Sequence, residues 1–199
     1  MPTDPFLHAH DEELLTRARS GDVDAENLLF SRHLEAAYAF ARRTLNAAPD
    51  AEDAVGEALL KAHNALRAFR GECTFRTWLF GIVARCAVDV LRARGSRHEA
   101  PEGSPAERRC APEGDPGSSA EIGEALDHAL AALPQRARQA IHLRVRQELS
   151  YREIAIVLQI SEEAARAAVF DARRRLEKLL ARFLEPAEAL SPKAEERRP

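Results

Sequence analysis

The sequence is poor in what a β-sheet needs. Aromatic residues make up only 6% of the chain and β-branched residues are sparse, while Ala, Leu, Arg and Glu, all strong helix formers, are abundant. An all-α fold is therefore expected. There are three cysteines, Cys73, Cys86 and Cys110, an odd number with no two at metal-knuckle spacing, which argues against a disulfide framework or a zinc site. No apolar run approaches the ~18 residues of a membrane span. Residues 1–11 lack the basic and apolar regions of a signal peptide, so a cytoplasmic location is the default expectation. The formal net charge of −3 excludes a global polycation, so any nucleic-acid binding has to rest on locally concentrated positive charge.

Catalytic signatures are missing as well. The chain has no Gly-rich phosphate loop, no nucleophile elbow and no His and carboxylate set at metal spacing. His8 and His10 form a short His-x-His in a polar terminus, where solvated side chains are the better reading. No enzyme activity, catalytic residue, metal or cofactor is expected.

Glycine is scarce outside residues 95–120. That stretch holds Pro101, Pro105, Pro112 and Pro116 with Gly103, Gly114, Gly117, Ser118 and Ser119, and reads as a flexible linker between two small domains. Residues 186–199 read as a disordered tail. The first block, residues 11–94, reads as four helices. The first stops at Gly21, the second runs from Asp22 to about Leu45, and the third starts with Asp50 as N-cap and Glu52 and Asp53 in its first turn. After a loop around Gly71, Thr74 caps a fourth helix with a stripe of Trp78, Leu79, Ile82, Val83, Val90 and Leu91. The second block, residues 121–185, reads as four more helices. Pro134 suits a first helical position, Ser150 with Glu153 forms a capping box, and Ser161 caps the last helix after a tight turn at Gln159 and Ile160. Helix, short turn, helix at this size is the helix-turn-helix pattern.

Three features could carry function. In residues 50–66, Glu52, Asp53 and Glu57 project from a helix with an Ala54, Val55, Ala58 and Leu59 apolar face; they are either a solvated surface or an acidic docking face for a basic partner. Around residues 69–94, Arg67, Arg70, Arg76, Arg85, Arg92 and Arg94 oppose only Glu72 and Asp89, with Phe75 and Trp78 interleaved. Cations beside aromatics suit single-stranded DNA, although for Trp78 itself a plain core position is the better reading. In the final helix, Glu163, Arg166, Ala167, Phe170, Asp171 and Arg174 would face outward, where a helix-turn-helix domain reads the major groove.

Together these features resemble the extracytoplasmic-function (ECF) sigma factors of the sigma-70 family. The resemblance rests on the Asp-Ala-Glu-Asp run of residues 50–53, the Phe-Arg-Gly-Glu loop of residues 69–72, Phe-Arg-Thr-Trp-Leu at 75–79 and Leu-Ser-Tyr-Arg-Glu-Ile-Ala at 149–155. It implies two helical domains: region 2 over residues 11–94 and region 4, a helix-turn-helix, over residues 121–185. It further implies that the chain binds core RNA polymerase and directs it to promoters. Asp50, Glu52, Asp53, Val55, Glu57 and Leu60 match the helix that meets the β′ clamp helices. Arg70, Phe75, Arg76, Trp78 and Arg85 match the part that melts and holds the minus-ten element, where capture of a flipped base costs a few kcal/mol of unstacking. Ser161, Arg166, Ala167, Phe170, Asp171, Arg173 and Arg174 match the minus-thirty-five reader, and region 4 would also meet the β flap. The group is usually held inactive by an anti-sigma partner.

The last helix departs from the family pattern. Where Gly-Thr-Val, a basic residue, Ser and Arg are usual, Glu163, Ala164, Ala165, Arg166, Ala167 and Ala168 stand, and Asp171 replaces the next basic residue. Gly56 and Ala58 occupy positions where Gln and Thr are common. An alternative reading therefore follows: a sigma-like interaction protein that binds polymerase or an anti-sigma factor without reading promoters.

Overall fold

The computed structural model describes residues 10–97 and 119–181, with side chains over most of that span. His8, Cys110, the interior of the Pro- and Gly-rich stretch and the tail at 186–199 lie outside the described residues. Among the described residues there are eight α-helices, one short 3-10 turn and no strand.

The first block contains α1 (Asp11–Arg19), α2 (Val23–Leu45), α3 (Ala48–Ala65) and α4 (Phe75–Arg97), with the 3-10 turn at Leu66–Ala68. Its helices start and stop for local reasons. Asp22 caps α2 by accepting from the amides of Asp24 and Ala25, and its carboxylate also takes Arg17 at 2.6 Å. The Ala25 amide and Arg17 hold the Asp22 carboxyl below the usual carboxylate range. Gly21 and Gly71 adopt positive φ, at +98° and +76°, where a side chain would be strained. The Thr74 hydroxyl accepts from the Thr77 amide at 3.2 Å, as a cap for α4 should.

One helix start differs from its expected position. α3 begins at Ala48, with Pro49 in its first turn and Ala47 as an N-cap that offers no side-chain bond. Proline pre-sets the helical φ and lacks the amide that a cap would satisfy, so it fits at the start of a helix. Asp50 therefore lies inside the first turn and pairs with Arg94, while Glu52 and Asp53 fall in the second turn. α4 packs on α3 and α2, and the block closes around Phe40, Phe80, Leu29, Leu66, Leu79 and Val83, all fully buried. Phe40 and Phe80 meet edge to face at 5.5 Å.

The second block contains α5 (Ser119–Ala131), α6 (Gln135–Val145), α7 (Tyr151–Leu158) and α8 (Glu162–Leu179). Pro134 is the N-cap of α6 rather than its first residue, with ψ of 141°, and the helix starts at Gln135. The capping box of α7 forms as read: Ser150 Oγ accepts from the Glu153 amide at 3.2 Å, and the Ser150 amide donates to Glu153 Oε2 at 2.9 Å. Gln159, at φ +53°, makes the turn to α8, whose cap Ser161 accepts from the Ala164 amide at 3.1 Å. α6, α7 and α8 pack on one another around Leu143, Ile154, Val157 and Val169. The stretch read as a linker is shorter than expected at both ends, since residues 95–97 continue α4 and residues 119–120 open α5.

The blocks do not stand apart. α7 packs against α4, and α6 against α2, so both blocks share one continuous apolar core.

Candidate functional site

Three surfaces correspond to the residues singled out from the sequence. On α3, Glu52, Asp53 and Glu57 are exposed, and Glu57 pairs with Lys61 at 2.7 Å. Leu60, on the same helix, is 67% exposed. Between α2 and α3 runs a groove of about 540 Å³ with Leu34, Tyr38, Val55 and Leu59 on its apolar lining and Glu35 and Glu52 at its edge. Val55, only 4% exposed, belongs to the core and forms the floor of this groove rather than projecting from it. Asp50 is withdrawn from the acidic face by Arg94. Gly56 lies on the groove as well, and a Cβ added there would meet nothing within 4 Å.

At the head of α4 the expected strand-binding residues divide. Arg70 and Arg85 are exposed. Phe75 is 3% exposed and packs edge-on against Phe30 at 5.4 Å, so its ring is core and has no face free to stack on a base. Trp78 is half-buried between Phe69, at 4.8 Å, and Phe75, at 5.8 Å. Arg76 points to the second block: its Nη2 donates to Gln147 Oε1 at 2.6 Å, and its guanidinium lies 5.8 Å from the Phe80 ring.

On α8 the expected outward face is outward. Glu163, Arg166, Ala167, Phe170, Asp171, Arg173 and Arg174 are all exposed, as is the cap Ser161. Phe170 is 66% exposed. Arg166 is partly tied back, 3.5 Å from Glu162 and 5.1 Å above the Tyr151 ring. The face therefore offers Arg173 and Arg174 as exposed cations and Glu163 and Asp171 as exposed carboxylates.

The contact between the blocks brings together residues that the sequence reading did not connect. Thr77, fully buried, donates its hydroxyl to Glu153 Oε1 at 3.1 Å, so the carboxylate that closes the α7 capping box also ties α7 to α4. Burial works against the charged form of Glu153, but hydrogen bonds from Ser150 and Thr77 and the nearby Arg76 outweigh it and hold the carboxyl below its usual range. At Gly81 a Cβ would lie 3.9 Å from the Val157 backbone, in ordinary van der Waals contact, so a larger side chain there would meet α7. On the other side, Arg138 donates to the Thr44 carbonyl at 3.4 Å and Arg43 pairs with Asp127 at 3.4 Å. His142, 8% exposed, packs against Phe40 with ring centroids 5.7 Å apart, and its Nε2 has no hydrogen-bond partner. The one sequence signal for this contact was Gly81, a glycine inside an otherwise bulky buried stripe.

Among the described residues, no cluster of three or more His, Cys, Asp or Glu could hold a metal ion, and no helix is long and apolar enough to cross a membrane.

Comparison with known proteins gives these surfaces a common identity. The family model described as Sigma-70 region 2 matches residues 29–97, and that described as Sigma-70, region 4 matches residues 123–176. The RNA polymerase sigma-H factor of Pseudomonas aeruginosa is 32% identical over 190 residues, covering 89% of this chain and 97% of that protein. The ECF RNA polymerase sigma-E factor of Escherichia coli is 31% identical over 177 residues, covering 84% and 92%. Among solved structures, the sigma factor RpoE in complex with the anti-sigma factor NepR from Bartonella quintana superposes with a TM-score of 0.66 at 25% identity, covering 80% of this chain and 98% of that one. CnrH in complex with the cytosolic domain of CnrY gives 0.62 at 26%, covering 86% and 97%. With region 2 in the first block, region 4 in the second and sigma-factor relatives along nearly its whole length, the chain belongs to the ECF sigma factors of the sigma-70 family and directs promoter-specific transcription initiation.

Proposed function

We propose that this sigma factor divides its work among the three surfaces. The exposed acids of α3, Glu52, Asp53 and Glu57, with Leu60 and the adjoining groove, dock on the β′ clamp helices of core RNA polymerase. Arg70 and Arg85, joined by Arg76 and Trp78 once these are free, bind the melted minus-ten strand. The exposed face of α8 meets the minus-thirty-five element, and the second block meets the β flap. The polymerase performs the chemistry, and the sigma factor works in the cytoplasm with no catalytic residue or cofactor of its own.

The observation that carries this reading is the separation of charge on the first block. An acidic face with an exposed leucine lies on α3, while free arginines lie at the loop before α4 and along α4. Opposite potentials on different faces suit a protein that must hold a protein partner and a nucleic-acid strand at once. The two solved relatives are complexes with an anti-sigma factor and with the cytosolic domain of CnrY, which supports an inhibitory partner of that kind for this chain.

The α8 face favours a reader with weak minus-thirty-five contacts. Three alanines and Asp171 stand where cations and hydrogen-bonding side chains would serve phosphate and base contacts. Run-off transcription with purified core polymerase on genomic fragments tests the assignment. Specific transcripts support it; tight core binding without transcripts would instead make the chain a competitor that occupies polymerase.

A further inference from the structure

We propose that the contact between the two blocks is an autoinhibitory latch that opens when His142 is protonated. This rests on the assignment of the α4 head to promoter DNA. In the closed chain, Arg76 is committed to Gln147, and Thr77 is fully buried against Glu153. The second block thus occupies the face of α4 that a DNA strand would use. Strand binding and closure compete for the same side chains, and the sigma factor has to open before Arg76 can reach a phosphate.

His142 lies where the latch is most sensitive to charge. It projects from α6 against Phe40 of α2, with its Nε2 unpartnered and only 8% of the residue exposed. The groups around it are mainly cationic. α2 contributes Arg43, α6 contributes Arg138 and Arg144, with Arg146 at its C-cap, and α8 contributes Arg173. Tyr151 of α7 lines the same groove, Glu148 and Glu177 are the carboxylates on its lining against five arginines, and Asp127 of α5 pairs with one of these, Arg43. A proton on His142 would place another charge in a largely buried contact rich in cations, with no acceptor for Nε2. Opening removes α2 from the imidazole and returns it to water.

The direction follows from linkage. Burial, with Arg43 and Arg146 close by, pushes His142 down from an ordinary value of 6.5 to about 4 in the closed chain. A depressed imidazole means that the closed form is fully favoured above pH 6.5 and loses ground as pH falls toward 4. Arg146 stays beside the imidazole when the blocks part, so 6.5 is the ceiling for the open chain; with 4 for the closed one, the closed-to-open ratio falls by at most about 30-fold between pH 7.5 and 5.0. Glu153 acts in the same direction but only at lower pH, because its carboxylate stays charged down past its ordinary 4.5. Between pH 5 and 6.5 the effect belongs to His142.

Small-angle scattering on the full chain, read beside far-ultraviolet circular dichroism, tests the latch. The wild type should expand between pH 7.5 and 5.0 with helicity unchanged. The His142→Gln variant, which cannot take the proton, should stay compact over the same range. Gly81→Leu, which wedges α4 from Val157, should be expanded already at pH 7.5 and should bind a minus-ten single strand more tightly there than the wild type. A wild type that stays compact at pH 5.0, or a His142→Gln chain that expands with it, overturns the proposal. If His142→Gln fails to fold, the imidazole resonances decide: an equal titration midpoint for His142 in the wild type and in Gly81→Leu also overturns it. If Gly81→Leu opens but gains no affinity for the strand, the DNA assignment of α4 fails rather than the latch.

Discussion

The hydrogen bond from Thr77 to Glu153 gives the sharpest measure of whether the blocks are coupled in the free chain. The Thr77 hydroxyl is fully buried and donates at 3.1 Å to a carboxylate held in its charged form. A hydrogen bond to a charged group contributes about 1.5–3 kcal/mol. Glu153 is only half-buried and keeps its bonds to Ser150, so the lower end applies. Replacing Thr77 with Val preserves shape and removes the hydroxyl. Glu153→Ala removes the acceptor and also opens the capping box, at a further cost of about 1 kcal/mol. The cap loss is common to both backgrounds and cancels in a double-mutant cycle. Urea unfolding of the wild type, both single variants and the double variant should yield a coupling energy of about 1.5 kcal/mol between residues 76 positions apart in the chain. Ser150→Ala serves as the control: it should lose cap stability without altering the effect of Thr77→Val. A coupling energy below about 0.3 kcal/mol, within the additivity expected of independent sites, would refute the closed contact.

Other consequences are open to direct measurement. Reversal of Glu52 and Asp53 to Lys should weaken binding to core polymerase with a stability change within about 0.5 kcal/mol, because both lie in the second turn of α3, beyond the strongest reach of the helix dipole; titration against core polymerase with a parallel melting curve checks both halves. Arg85→Ala should lower the slope of log affinity against log salt for a minus-ten single strand by about 0.7, the loss of one phosphate contact, and an unchanged slope would move the strand elsewhere. Asp171→Arg should raise affinity for promoter duplex, most clearly at low salt, since an exposed repulsive carboxylate becomes a phosphate contact; loss of promoter-specific transcription would instead make Asp171 a base reader that accepts from a cytosine amine. Gly56→Ala should stabilise the chain by about 0.5–1 kcal/mol in thermal unfolding, because the added methyl meets open space in a helix interior.

The sequence by itself determined most of the local order. Composition favoured helices, and caps such as Thr74, Ser150 and Ser161 placed helix starts because each satisfies amides only a few residues away. The motifs at residues 50–53, 69–79 and 149–155 carried the family, since short-range chemistry is written in contiguous residues. Errors of register came where two local rules compete, as at Pro49 against Asp50 and at Pro134. What only the tertiary structure decided is which side chains are available. Phe75 stands at the head of α4, and packing against Phe30 rather than spacing sends it into the core. Asp50 and Arg76 carry charges that periodicity leaves on the surface, yet Arg94 and Gln147 take them. The bond from Thr77 to Glu153 and the packing of Phe40 against His142 join residues 76 and 102 positions apart. No spacing rule reaches that far: such pairs exist only once α4 meets α7 and α2 meets α6, because burial and the pairing of buried polar groups are properties of the assembled core.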